Sequence, residues 1–217
     1  MTSRPIFLVS ATASTDTGVI HLPILGTAWL RPFLDLSRYD GIIFTSKNGV
    51  DALERIDPSW KKLPVLCVGK ATRQRVAALG AVVLDTADGY GDGVGELLRT
   101  RYRDKRWLYA RPKVVASDFA EKAREAGITL EEAVVYETVC CAENVQAEVP
   151  RNAVLIFTSP SAVQCYLTRF ALGDMQTIVV IGHTTAKALK SRDVHLAPEP
   201  TVAACIASAK QLAKEAL

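Results

Sequence analysis

The chain writes one pattern twice. "IIFTSKNGV" (Ile42 to Val50) returns as "LIFTSPSAV" (Leu155 to Val163), and "VLCVGKATRQRV" (Val65 to Val76) returns as "IVVIGHTTAKAL" (Ile178 to Leu189). The offset from Thr45 to Thr158 equals that from Gly69 to Gly182, and it carries Val82 onto His195. Three apolar, strand-like runs therefore recur in one register. Each of the first two is followed by a turn and by apolar residues at helical spacing: Val50, Leu53 and Ile56 in one copy, Val163, Leu167 and Phe170 in the other. Short, continuously apolar, β-branched runs are what a parallel strand buried on both faces looks like. Strand, turn, helix, strand reads as a βαβ unit. Two copies predict two similar α/β domains, because a solenoid would need more repeats. A length of 217 residues accommodates two small domains.

The remaining segments fit that plan. "RWLYAR" (Arg106 to Arg111) reads as a further strand. It precedes a helix from about Ser117 to Ala126, with Ser117 as N-cap and Gly127 as the stop. "GVGELLRTRY" reads as a helix, and "TVAACIASAKQLAKEAL" as a C-terminal helix capped by Thr201. Two strand-like stretches lie outside the repeat, "VIHLPIL" (Val19 to Leu25) and "EAVVYETV" (Glu132 to Val139). Paired, they would form a hinge. "PIFLVS" then belongs with the second copy, so the chain starts in one domain, builds the other and returns. The expected division is 1–18 with 140–217 as a first, discontinuous α/β domain, 19–25 and 134–139 as hinge strands, and 26–133 as a second α/β domain.

In open parallel sheets ligands collect outside the carboxyl ends of the strands. Thr45, Ser46, Thr72, Arg111, Thr158, Ser159, Ser161, Thr184 and Thr185 all follow strand-like runs at that end. They are the candidate binding residues, expected on both walls of one cleft. Helix N-termini there offer free N–H groups and a positive dipole end, which suit carboxylate or phosphate. Any one of these hydroxyls taken singly reads as an N-cap before it reads as a ligand, the two roles are compatible, and it is the repetition that points to function for the set. The other signals are weaker. "DGYGDGVGE" (Asp88 to Glu96) matches neither GxGxxG nor GxxxxGK[ST] and reads as a loop and helix start. "RTRYRDKR" (Arg99 to Arg106) reads as a solvated helix end. Three scattered histidines carry no ligand spacing, so no metal is expected, and GxSxG is absent. Net charge is a mild +3, which does not argue for nucleic acid. The five cysteines contain no CxxC, and Cys140 and Cys141 are adjacent, so reduced thiols are expected. No apolar run matches a signal peptide or a membrane span, and a cytoplasmic protein is expected.

These motifs resemble the uroporphyrinogen-III synthase family over nearly the whole chain. The resemblance rests on "FTSKNGV", "VGKATRQRV", "VYETV", "FTSPSAV" and "IGHTTAKAL", five weak motifs in the family's order and spacing. It implies two flavodoxin-like parallel-sheet domains on a two-strand hinge, the first discontinuous; this chain departs from the family in that the first domain is trimmed, because too few residues follow "PIFLVS" for the usual helix. A family Arg-Gly turn stands here as "ARPKVVASDF", matching at Arg111 only. The implied activity is a cyclising lyase of haem biosynthesis that closes the linear tetrapyrrole hydroxymethylbilane into uroporphyrinogen III, inverting the last pyrrole ring, with no cofactor. The implied catalytic residue is Tyr136 of "VYET". The implied partner is hydroxymethylbilane alone, without nucleic acid or membrane. A monomer is expected, with room for transient contact with the preceding pathway enzyme. From the residues without the family, a hinged two-domain small-molecule binding protein without chemistry fits as well.

Overall fold

A computed structural model describes residues 3–88, 91–115, 117–190 and 192–214. Along the chain the strands are β1 (Ile6–Val9), β2 (Ile20–Leu22), β3 (Leu25–Trp29), β4 (Gly41–Phe44), β5 (Val65–Val68), β6 (Val83–Ala87), β7 (Trp107–Pro112), β8 (Leu130–Cys140), β9 (Val154–Phe157), β10 (Thr177–Val180) and β11 (His195–Leu196). The helices are α1 (Lys47–Ile56), α2 (Lys70–Ala78), α3 (Gly91–Thr100), α4 (Phe119–Glu125), α5 (Pro160–Leu167), α6 (His183–Ala188) and α7 (Val202–Leu212). Among the described residues no helix is long and apolar enough to cross a membrane.

The chain divides into two compact units, Met1–Gly26 with Val139–Leu217, and Thr27–Thr138. The first unit holds a sheet in the order β2-β1-β9-β10-β11, with every pairing parallel. That is the doubly wound order 2-1-3-4-5. The second holds β3-β8-β7-β4-β5-β6. Without the edge strand β3 it repeats the same spatial order, but the chain enters at β4 and reaches β7 and β8 last, so the unit is a circular permutation of the first. The α/β class with two parallel-rich sheets is as expected from the repeat. The first unit is also trimmed as expected: residues 10–19 join β1 to β2 with no helix, where the second unit has α4 between β7 and β8.

Both faces of each sheet are covered, which is why the strands read as unbroken apolar runs. All residues of β1, β4, β5 and β9 are buried. In the second unit, Ile42, Phe44, Val65, Cys67, Leu108 and Ala110 pack against α1 and α2. Ile43, Leu66, Val68, Trp107 and Tyr109 pack against α3 and α4 on the other face.

The helix ends follow their sequence signals. Ser46, Ser159 and Thr201 accept from Asn48, Ala162 and Ala204 N–H respectively. Gly127 closes α4 at φ +81°, in the left-handed region that favours glycine. The start of α4 differs slightly: Ser117 Oγ accepts from Phe119 N–H (3.3 Å), so Ser117 stands two residues before the helix instead of at its cap.

Two expectations need correction. Val19 to Leu25 is not one hinge strand. β2 ends at Leu22 and pairs with β1, and β3 starts at Leu25 in the other sheet. Pro23 lies between them; it has no N–H to continue a ladder, so the strand breaks there. The cysteines are not all thiols either. Cys140, at the end of β8, is disulfide-bonded to Cys165 in α5, while Cys67, Cys141 and Cys205 are free. The Cα atoms of the pair stand 5.3 Å apart, within bridging range, although the residues are 25 apart in sequence.

Candidate active site

The second unit carries a cavity of about 490 Å³, lined by Thr45, Ser46, Val68, Gly69, Lys70, Thr72, Gly91, Tyr109, Pro112, Ser117, Phe119 and Tyr136 among others. That volume is ordinary for a small-molecule site. The topology explains its position. Thr45 and Ser46 follow β4, Gly69 follows β5, and Pro112 ends β7, so these residues lie at the carboxyl edge of the sheet. β4 and β7 are the neighbouring strands where the order reverses, the switch point at which open sheets bind ligands. Ser46, the N-cap of α1, and Lys70 to Thr72, the first residues of α2, stand at the lining, which places the positive ends of both helices near it.

Two phenols share the site with two consecutive hydroxyls. Tyr109 Oη lies 2.9 Å from Thr45 Oγ1. Burial pushes the Tyr109 phenol above its ordinary value, and the Thr45 hydrogen bond partly opposes the rise. Burial pushes the Tyr136 phenol up too, opposed by the Ser46 hydroxyl. Both phenols therefore stay protonated across the neutral range. They arrive from different faces of the sheet. Tyr109 belongs with the α3/α4 face and packs on Phe119 with ring centroids 4.9 Å apart.

Tyr136 packs with the α1/α2 face, together with Ala133 and Val135. Simple alternation would send Val135 and Tyr136 to opposite faces. A register shift prevents this: Arg111 pairs with Val134, but Pro112 pairs with Tyr136, which leaves Val135 as an extra residue. A bulge beside a site re-aims a side chain in this way.

Four of the ten candidate residues meet in this cavity: Thr45, Ser46, Thr72 and Tyr136. Thr72, in the first turn of α2, is 4% exposed. Arg111 is not among the lining residues. Its Nε lies 2.7 Å from Glu132 Oε1, and its Nη1 donates to the carbonyls of Pro112 and Lys113. It lines a separate groove with Asp92, Asp118, Glu121, Arg124 and Glu132.

The other five candidates stand on the first unit. Thr158 and Ser159 follow β9, Ser161 is exposed on α5, and Thr184 and Thr185 open α6, with Thr185 buried. The basic run after α3 engages nearby groups: Arg101 pairs with Asp85, Arg103 donates to the Ala126 carbonyl and Arg106 pairs with Asp40. Gly89 and Tyr90 of the glycine-rich stretch lie outside the described residues.

Sequence reasoning missed Tyr109 and Lys70. Tyr109 looks like a strand aromatic. Only the register Ile43↔Tyr109 places it beside the residue two positions past Ile43, which is Thr45. Lys70 opens α2 and is the one cation at this lining among the described residues, and no carboxylate stands with it.

The fold and the site define a doubly wound α/β protein whose cavity, at the carboxyl edge of the sheet, brings hydroxyls and phenols together with apolar side chains. The chain belongs to the uroporphyrinogen-III synthase family: the family model HEM4, uroporphyrinogen-III synthase HemD, matches residues 9–207. The chain is similar to the solved uroporphyrinogen-III synthetase of Helicobacter pylori, with TM-score 0.80 and 25% identity over 96% of this chain and 99% of that one. A mutant uroporphyrinogen III synthase of Thermus thermophilus shares the fold, with TM-score 0.56 and 14% identity over 98% of this chain and 100% of that one. No curated protein sequence is similar enough to count as a match. The enzymatic class is the family's, a cyclising lyase of porphyrin biosynthesis.

Proposed function

We propose that this chain closes hydroxymethylbilane into uroporphyrinogen III with Tyr136 as the proton donor, and that the reacting end of the substrate occupies the cavity of the second unit. The observation that carries this reading is the polar part of the lining: hydroxyls, helix N-termini and Lys70 among apolar side chains, with no carboxylate among its described residues. The substrate bears eight carboxylates, so such a lining attracts it. The neighbouring groove, with four acidic residues against two arginines, repels it.

Loss of water from the terminal hydroxymethyl group breaks a C–O bond. The electron pair leaves with oxygen, and the adjoining pyrrole nitrogen supplies electrons to the carbon that is left. A phenol that donates its proton to the departing oxygen lowers that barrier. The cationic carbon then bonds to a substituted position of the last pyrrole ring. Fragmentation then breaks that position's original bond to the bridging carbon, which bonds instead to the ring's free α-carbon; this inverts the ring and closes the macrocycle, and the proton released there restores the phenol. Because the pyrroles supply the electrons, the protein contributes mainly the fold of the bound chain.

Thr45, Ser46 and Thr72 hold substrate at this lining. Thr158, Ser159, Ser161, Thr184 and Thr185 are further carboxylate ligands offered by the first unit, and Arg111 reaches substrate only by leaving Glu132. The reading carries with it a cytoplasmic monomer.

The test is the product. Freshly made hydroxymethylbilane is incubated with the chain, and the porphyrin isomers are separated after oxidation. Isomer III is expected. Isomer I alone, the spontaneous product, would leave a binding protein without this chemistry.

A further inference from the structure

We infer that Tyr109 is a positioning residue for this reaction: its phenol donates to Thr45 Oγ1, which aims the Thr45 O–H proton at a substrate carboxylate. The inference rests on placing the reaction in the cavity described above. Three observations carry it. The two oxygens are 2.9 Å apart, a well-formed O–H···O distance. Both residues line the cavity; Thr45 is half-buried and Tyr109 3% exposed, so Thr45 presents the larger part of its surface to a ligand. A carboxylate only accepts, so a hydroxyl that binds it must direct its single proton outward. Its oxygen is then free to accept, and Tyr109 is the donor beside it.

The direction of the chain is thus fixed by the ligand: phenol to hydroxyl to carboxylate. Hydrogen bonds in such a chain polarise one another, so the pair acts as a unit. The Tyr109 ring is independently held by Phe119, at 4.9 Å between centroids, and the neighbouring strands β4 and β7 set the register. The two oxygens are therefore held together before substrate arrives, and the ligand sets the direction of their protons. This separates Tyr109 from Tyr136, whose phenol is assigned to the departing oxygen.

The test is a double-mutant cycle on turnover of hydroxymethylbilane. Tyr109→Phe keeps the ring and removes one oxygen. It is expected to raise KM about three- to tenfold, the usual worth of one hydrogen bond, with a smaller change in kcat. In a Thr45→Val background the same substitution is expected to add almost nothing, because the hydroxyl it orients is gone. In a Thr45→Ser background, which keeps the hydroxyl, its effect is expected to return. A merely structural role would lower Tm equally in all three backgrounds without this pattern. Equal effects of Tyr109→Phe with Val and with Ser at position 45, or no effect in the wild-type background, would overturn the inference while isomer III continues to form. A wild-type chain that yields only isomer I would overturn the reading of the reaction itself, and this inference with it.

Discussion

A single phenolic oxygen separates chemistry from packing at Tyr136. The side chain is 5% exposed, reaches the cavity because of the bulge at Val135, and has its pKa raised by burial. A raised pKa makes it a weak acid that keeps its proton at neutral pH, as a donor to a departing hydroxyl must. Tyr136→Phe preserves the ring contacts and removes the proton. Turnover is expected to fall about 10²- to 10⁴-fold, with Tm and substrate affinity nearly unchanged. Single-turnover rates of variant and wild type measure this, and a variant as fast as wild type would remove Tyr136 from the chemistry. The sequence showed Tyr136 through its motif and Thr45 through the repeat. It did not show why Tyr136 points into the cavity, since a bulge has no residue-level signal here. Nor did it show Tyr109, whose role depends on a strand register that is decided in three dimensions.

At the scale of elements, the two copies match in sequence but differ in what their residues must do. Gly69 and Gly182 occupy the same place, between strand and helix, before α2 and α6. Gly69 has φ +76°, in the left-handed region, while Gly182 has φ 179°, which is extended backbone. Neither has an atom near the position a Cβ would take. Gly69→Ala is therefore expected to cost about 1–2 kcal/mol for its left-handed backbone. Gly182→Ala is expected to be neutral or slightly stabilising, because alanine narrows the unfolded ensemble at a compatible site. Urea midpoints of the two variants compare them, and equal losses would contradict the backbone argument. The repeat made both strand–turn–helix units legible but hid this difference, because a shared glycine does not reveal its φ. The disulfide was hidden for a related reason. Cys140 beside Cys141 suggests no partner, and Cys165 comes near only when β8 and α5 pack. Alkylation of the unfolded chain without reductant is expected to label Cys67, Cys141 and Cys205 alone, and all five cysteines after reduction. Labelling of all five at the start would mean the pair is open.

At the scale of the whole molecule, each unit buries a phenol deeply enough for its stability to depend on alkaline pH. In the second unit Tyr39 is pushed up to about 12, first by burial and then by the hydrogen bond it donates to Glu131. In the first unit Tyr166 is pushed up to about 12 by burial, with the Gln176 side chain opposing. An unfolded tyrosine ionises near pH 10. Between about pH 10 and 12 the unfolded chain has released these protons while the folded units keep them. The folded state then binds more protons, so the free energy of unfolding falls as pH rises. The stabilisation is complete below about pH 10 and is lost progressively towards about pH 12. Lysines titrate in the same range, so a variant must isolate the phenol. Tyr166→Phe does so, because the ring keeps its contacts with Phe157 and Phe170, at 5.3 and 4.9 Å between centroids. The variant is expected to lose less stability than wild type between pH 9 and 11. The readout is hydrogen-exchange protection of β9 and β10, the central strands of the unit that holds Tyr166. Protection in β4 and β5, whose unit holds Tyr39, should keep the wild-type slope. Identical slopes in β9 and β10 for variant and wild type would show that the Tyr166 phenol ionises in the folded unit as it does in the unfolded chain.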